Sequence, residues 1–292
     1  LKINPILSKA SWLSNDDIRP YVLIRPENRI DQPGKRHHLD WFPHQVLEKN
    51  PLHLDELEFI EQIYDLEAKC FGPTNMATPR WVFYDCAFVP GFVSGFAYRT
   101  SKLPERLKKQ LRVVEDSEWT PLSLFIIIPT IHKGEWVAHN LCSVNALVEK
   151  ADQFYGIGFL SKAFGLWYAN VEQCTGMTQW GSPAVKLHAN YGHMEIIGAY
   201  GPAHTHATTL TYRVEINTMS WEQFFKRELD YAFLENYEPT SILINPNDRK
   251  SMIDLQRRIE KDEGPFFLNA AEVASKKNDD TLTIYKKKAT YF

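Results

Sequence analysis

The sequence predicts a mixed α+β fold with a mostly antiparallel sheet, on three observations. "LSLFIIIPTIHKGEWVAHNLCSV", 122–144, reads as two strands around a His132-Lys133-Gly134 turn. "HMEIIGAY" and "TLTYRVEI" read as a hairpin through "GPAHTHA"; the second sets Leu210, Tyr212, Val214 and Ile216 against Thr211, Arg213 and Glu215. Between these pairs "QFYGIGFLSKAFGLWYAN", 153–170, carries two glycines into an apolar, Pro-free run broken by Gly165, which reads as a loop entering a helix.

The remaining elements follow in chain order. "YVLIRP" reads as a strand and the polar "KRHHLDWFPH", 35–44, as a loop whose His37, His38 and His44 lack metal-ligand partners and belong to the surface. In "LDELEFIEQIYDLEAKC", 54–70, Leu57, Ile60, Ile63, Tyr64, Leu66 and Glu67 fall on a helical pattern that Gly72-Pro73 ends. The aromatic, β-branched "RWVFYDCAF" and "GFVSGFAYR" read as two strands joined through Pro90-Gly91. "LPERLKKQL" is a short basic helix with a solvated face, and "CTGMTQWG" a short strand. "SPAVKLHANYG" is a helix with Ser182 to cap it, Pro183 in its first turn and Gly192 at its stop. The last part holds a helix, "WEQFFKRELDYAFL", then "SILINP", a charged helix from Arg249 to Lys261, and a strand-like "TLTIYKK". It carries no chemical motif.

The bulk numbers exclude several classes. Hydrophobic residues at 44%, charged residues at 24% and a net charge of −3 over 292 residues belong to a folded soluble protein. With 33 basic against 36 acidic residues nothing pulls the chain toward nucleic acid or an anionic membrane. Cys70, Cys86, Cys142 and Cys174 lie far apart with no CxxC pair, which fits buried thiols in a reducing compartment. No apolar run reaches the ~18 residues of a membrane span, and "LKINPILSKASW" lacks a signal-peptide core, so the expectation is a cytoplasmic protein.

A loop with two glycines before a helix leaves backbone N–H groups at the positive end of the helix dipole, a setting for an anion. By themselves the glycines suit a plain loop-to-helix connection at least as well. The order helix, antiparallel strands, Gln153-x-x-Gly156-x-Gly158 turn, helix, strand, helix, hairpin resembles the N-acetyltransferase (GNAT) superfamily of acyl-CoA-dependent acyltransferases, over about residues 54–216. The resemblance implies a central, mostly antiparallel twisted sheet flanked by helices. Residues 54–219 would form the acyl-CoA-binding domain, 1–53 an N-terminal extension, and 220–292 a C-terminal extension that packs on it or makes a homodimer.

In that family the glycine turn holds the CoA pyrophosphate. The resemblance places Gln153, Phe154, Tyr155, Gly156, Ile157, Gly158 and Phe159 around it, with Lys162 adding charge one turn on. It places the strand end Leu141, Cys142, Ser143 and Val144 where a backbone N–H meets the thioester oxygen. A second family motif is looser: Ala184, Leu187 and Gly192 fit, while His188 stands where a thiolate-protonating Tyr is common. The co-substrate implied is acetyl-CoA or a longer acyl-CoA, the acceptor an amine, with no metal, nucleic acid or membrane.

The attacking amine must lose a proton. Glu135 and His139 lie four apart on one strand and share a face; His139 is the preferred base, or else a half-buried strand residue. His188 is the candidate acid, or else a partly exposed helix residue. Cys142 reads as a structural thiol, and His204 and His206 cap the hairpin or line an acceptor pocket. Phe92, Phe96 and Tyr98 share a strand face and line either the core or an apolar pocket, with core favoured. A fold that binds CoA as a sensor without turnover is the alternative function, and a metal-dependent hydrolase ranks last.

Overall fold

The computed structural model describes residues 5–29, 45–88, 92–113, 117–216 and 232–289. The chain divides into two compact units, one running from Pro5 to Val171 and the other formed mainly by Glu172 onward.

The first unit contains α1 (Pro5–Lys9), β1 (Ile18–Leu23), β2 (Leu47–Lys49), α2 (Leu57–Phe71), α3 (Arg80–Phe88), β3 (Phe92–Arg99), α4 (Glu105–Leu111), β4 (Trp119–Pro121), β5 (Ser123–Pro129), β6 (Glu135–Ser143) and α5 (Ile157–Tyr168). Its sheet runs β6-β5-β3-β1-β2, with β4 also on β3. All its pairs are antiparallel except β1 with β2. The helix expected at 54–70 forms as α2, turning Phe59, Ile60, Ile63, Leu66 and Glu67 inward. α5 is mostly apolar and almost wholly buried, Ser161 and Lys162 included. It lies against the strands where Gly165 leaves room: a Cβ there would stand 2.6 Å from Phe125 and 2.7 Å from the Ser94 hydroxyl. Ser161 ties the helix to the sheet, its hydroxyl donating to that of Ser123 at 2.7 Å.

One expected strand is a helix. "RWVFYDCAF" forms α3, because Arg80 and Phe83, one turn apart, both close on Tyr64 of α2, at 4.8 Å from its ring in each case. Packing between helices overrides the aromatic and β-branched preference for strand.

The second unit contains β7 (Gln173–Gln179), α6 (Pro183–Ala189), β8 (Met194–Gly198), β9 (Thr209–Glu215), α7 (Ala232–Asn236), β10 (Tyr237–Ile244), α8 (Arg249–Glu260), β11 (Phe266–Leu268), α9 (Ala270–Ser275) and β12 (Leu282–Lys287). Its sheet is antiparallel throughout, in the order β10-β12-β11-β8-β9-β7. The expected hairpin pairs β8 with β9, fastened by Arg213 on Glu195 at 2.7 Å. Ser182 caps α6 as expected, accepting the Ala184 N–H at 3.1 Å. β11 and α9 are additions that the sequence reading missed. The loop at 35–44, the Pro90-Gly91 joint and most of the helix expected at 221–234 lie outside the described residues. The fold is thus mixed α+β and mostly antiparallel.

Candidate functional site

The glycine loop sits at the N-terminus of α5. Gly156 is the N-cap residue, left-handed at φ +73°, and no side chain caps this end of the helix. The two glycines differ. A Cβ at Gly156 would meet Ile6 of α1 at 2.4 Å, whereas one at Gly158 would meet nothing within 4 Å. Gly156 therefore answers to the turn and to Ile6, and Gly158 fronts open space.

Two side chains distant in sequence set the loop's peptide planes. Asn145 donates to the Phe154 carbonyl at 2.7 Å and accepts the Phe154 N–H at 2.8 Å. Trp12 donates its indole N–H to the Tyr155 carbonyl at 2.9 Å. In a trans peptide the next N–H points opposite to the carbonyl. Fixing these two carbonyls thereby aims the N–H groups of Tyr155 and Gly156 the other way. The Phe154 and Ile157 N–H groups are spent inside the loop, on Asn145 and on the Phe154 carbonyl. Among the described residues no hydrogen bond uses the N–H of Tyr155, Gly156 or Gly158. Gln153 reaches back to the Asn145 carbonyl at 2.9 Å.

Lys162 has a buried side chain, 1% exposed, so its charge is not presented to solvent. Phe159 is also buried. Lys9 of α1 is exposed and lies 5.7 Å from the Tyr155 ring, bringing a cation beside the loop that the sequence reading missed.

On β6 the predicted strand end is in register with β5: Leu141 faces Phe125, Cys142 faces Leu124 and Ser143 faces Ser123. The Val144 N–H is given to the Leu122 carbonyl at 2.8 Å, so it is committed to the sheet. The register then slips. Ala138 faces Ile127 and Leu141 faces Phe125, so His139 and Asn140 together stand opposite Ile126 as a β-bulge. A bulge breaks the ladder locally and re-aims side chains.

Behind the bulge lies a buried carboxylate. Glu67, 1% exposed on the inner face of α2, accepts from the Asn140 amide at 2.6 Å and from the Thr78 N–H at 2.9 Å. The Asn140 amide also donates to the Thr78 hydroxyl at 2.5 Å. His139 is exposed. Packing around its ring lowers its pKa from the ordinary imidazole value, against the pull of Asn140 and the Glu67 charge. Nothing in the sequence reading tied Glu67 to His139; a Glu on an otherwise apolar helix face was the available signal.

Glu135, at the other end of β6 from the glycine loop, accepts from the Thr130 hydroxyl at 3.0 Å in the hairpin turn. Cys70 donates to the Ser143 carbonyl at 3.6 Å and has Cys142 as a neighbouring thiol. That contact lowers the pKa of the Cys70 thiol, while burial raises that of Cys142 well above the ordinary value. Phe96 is core, 1% exposed between Trp12 and Phe164 at 4.9 and 6.1 Å. The Tyr98 hydroxyl accepts from Asn15 at 3.0 Å.

His188 belongs to the second unit, where it is 7% exposed and stacked on the Tyr212 ring at 5.0 Å. His204 caps the hairpin loop, its Nδ1 accepting the His206 N–H at 3.0 Å. Among the described residues no group of three or more His, Cys, Asp or Glu is placed to hold a metal ion, and no helix is long and apolar enough to cross a membrane.

No protein-family model and no curated protein matches the chain. Among solved structures it is similar to the NatC complex bound to Gag peptide and CoA, with a TM-score of 0.40 and 12% identity, covering 57% of this chain and 96% of that one. It is also similar to the ribosomal-protein-S18-alanine N-acetyltransferase from Escherichia coli (TM-score 0.34, 11% identity, 54% and 88% covered). An acetyltransferase from Streptococcus agalactiae gives a TM-score of 0.33 at 9% identity, with 55% and 93% covered.

Proposed function

We propose that this chain is an acyl-CoA-dependent N-acyltransferase, with residues 54–219 as its acyl-CoA-binding domain and the segments on either side as additions. The observation that carries the reading is the uncapped N-terminus of α5: the Tyr155 and Gly156 N–H groups are aimed by Trp12 and Asn145, and Gly158 is open to approach. Such a concavity of backbone donors suits the diphosphate of CoA. In the proposed reaction an amine attacks the thioester carbonyl directly, His139 takes the amine proton, and backbone N–H groups of the Leu141–Ser143 strand end stabilise the oxyanion.

The test measures CoA binding by calorimetry and thiol release from acetyl- to decanoyl-CoA across a panel of amines. Saturable CoA binding with amine-dependent thiol release is expected. Absence of CoA binding overturns the proposal.

One observation favours a second reading, a CoA-binding sensor without turnover. The candidate acid His188 is packed against Tyr212 as a core residue would be. CoA binding with no thiol release for any amine selects that reading.

A further inference from the structure

The Asn140 amide is held between two partners. Its nitrogen donates to Glu67 Oε1 at 2.6 Å and to the Thr78 hydroxyl at 2.5 Å. A primary amide nitrogen carries two N–H donors, so both are spent. The chemistry also fixes which end of the amide faces inward. Glu67 Oε1 already accepts the Thr78 N–H at 2.9 Å, so this carboxylate oxygen is an acceptor and must meet the nitrogen of Asn140, not its oxygen. The Asn140 oxygen, on the other side of the planar amide, is the acceptor that remains. Among the described residues no hydrogen bond of the structure reaches it, yet it is not one of the buried polar atoms that lack a partner. Asn140 is half-buried, and this oxygen meets solvent. It is anchored through a carboxylate that is itself 1% exposed, and it stands in the bulge of β6, one residue before the strand end Leu141–Ser143.

We propose that the Asn140 side-chain oxygen receives one N–H of the acceptor amine and so aims the amine lone pair at the thioester carbon, selecting primary amines over secondary amines and alcohols. This rests on the acyltransferase reading above. A neutral primary amine has two N–H groups and one lone pair. In the reaction the lone pair forms a bond to the thioester carbon, and one N–H proton leaves to the base. The second N–H stays on the nitrogen throughout and is the one that Asn140 holds. The carbon–sulfur bond breaks, sulfur keeps the electron pair, and the thiolate takes a proton from water. The base returns its proton to solvent, so the products are an amide and the free CoA thiol. The attacking nitrogen gains positive charge, which makes its remaining N–H a stronger donor. The contact therefore strengthens in the transition state. A secondary amine or an alcohol has a single N–H or O–H, which the base must take, and brings nothing to Asn140. The amide cannot turn to suit such a substrate without breaking its bonds to Glu67 and Thr78.

The experiment sets primary amines against their N-methyl counterparts in thiol release from acetyl-CoA, with CoA affinity measured alongside by calorimetry. The wild type is expected to prefer the primary amine. That preference in kcat/KM should fall roughly 10- to 100-fold in Asn140→Ala, the range for one hydrogen bond to a charged group, with CoA affinity unchanged. Asn140→Asp is the rescue: two carboxyls sharing one site hold a proton between them, so one oxygen still faces outward and the preference should stay close to that of the wild type. Thr78→Val leaves Glu67 both of its donors and frees one N–H of the amide, so it should lower the preference in the same direction even where Asn140→Ala does not fold. A wild type without the preference, a preference unchanged in the folded variants, or equal losses on both amines overturns the contact while the acyltransferase reading stands. CoA binding without thiol release for any amine in the wild type overturns that reading, and the proposal with it.

Discussion

Trp12 and Tyr155, from opposite ends of the first unit's sequence, are joined by a 2.9 Å hydrogen bond from the indole N–H to the Tyr155 carbonyl. The same indole packs edge-on against Phe96 at 4.9 Å and Phe154 at 6.4 Å. Trp12→Phe keeps an aromatic ring there and removes only the donor. The expected result is a CoA affinity roughly three- to tenfold weaker, the net worth of one hydrogen bond, with little change for pantetheine, which lacks the diphosphate. Equal losses for both ligands would show that Trp12 acts through packing alone.

The two glycines of the loop should respond differently to the same change. Gly158→Val meets open space, so the melting temperature should hold while CoA binding is lost. Gly156→Val forces a β-branched residue to φ +73° and into Ile6, costing on the order of 1–3 kcal/mol of stability. Thermal melts and calorimetry on the two variants separate these effects. Full CoA affinity in Gly158→Val would refute the loop as the diphosphate site.

His139 carries a pH signature. Its folded pKa lies below the ordinary value of 6.5, chiefly through desolvation, so the base form persists to more acidic pH. The acid limb of kcat/KM should have its midpoint below that value and disappear in His139→Ala. For stability the sign follows from proton uptake: the unfolded chain binds this proton more readily. The contribution of His139 is whole above about pH 6.5 and declines as pH falls through the folded pKa. Urea titrations of wild type and His139→Ala at pH 7.5 and pH 5.5 should differ accordingly.

Cys70 and Cys142 should part in reactivity. Both thiols are half-buried, but the pKa of Cys70 is lowered, chiefly by its Cys142 neighbour, while desolvation raises that of Cys142 well above the ordinary thiol value. Thiolate is the reactive form. Iodoacetamide near neutral pH should label Cys70 well before Cys142, as peptide mass spectrometry will read directly. Labelling in the reverse order would contradict the packing of α2 on β6.

Phe96 tests the aromatic stretch. Buried between Trp12 and Phe164, it should lose about 3–5 kcal/mol on Phe96→Ala with no change in acyl-chain preference. A shift of preference toward longer chains would reopen the pocket reading.

What the sequence made legible was local. Gly156 and Gly158 before an apolar run announced the loop and α5, and Ser182 announced α6, because a turn or a cap is written in a few adjacent residues. The α3 segment misled because aromatic content speaks for strand until Tyr64, on another helix, claims Phe83. The bulge at His139–Asn140 was out of reach for a different reason: it exists only in the register between β5 and β6, which no window along one strand contains. Trp12 and Asn145 escaped similarly, since their bonds to the loop are made across the fold.

The place of β1 in its sheet has a consequence for synthesis. Its residues pair with β3 from Ile18 on Tyr98 to Leu23 on Val93, and with β2 over Tyr21–Leu47 to Leu23–Lys49. As the chain leaves the ribosome this largely buried strand emerges before β3, and among the described residues the three-residue β2 is the first pairing partner to follow it. Pairings so distant in sequence form slowly. During that interval the strand's β3-side edge is unsatisfied, the kind of segment that holdase chaperones shield and that aggregates when they are scarce. Recovery of soluble protein should therefore depend on translation rate and chaperone supply more than the stability of the finished fold would suggest.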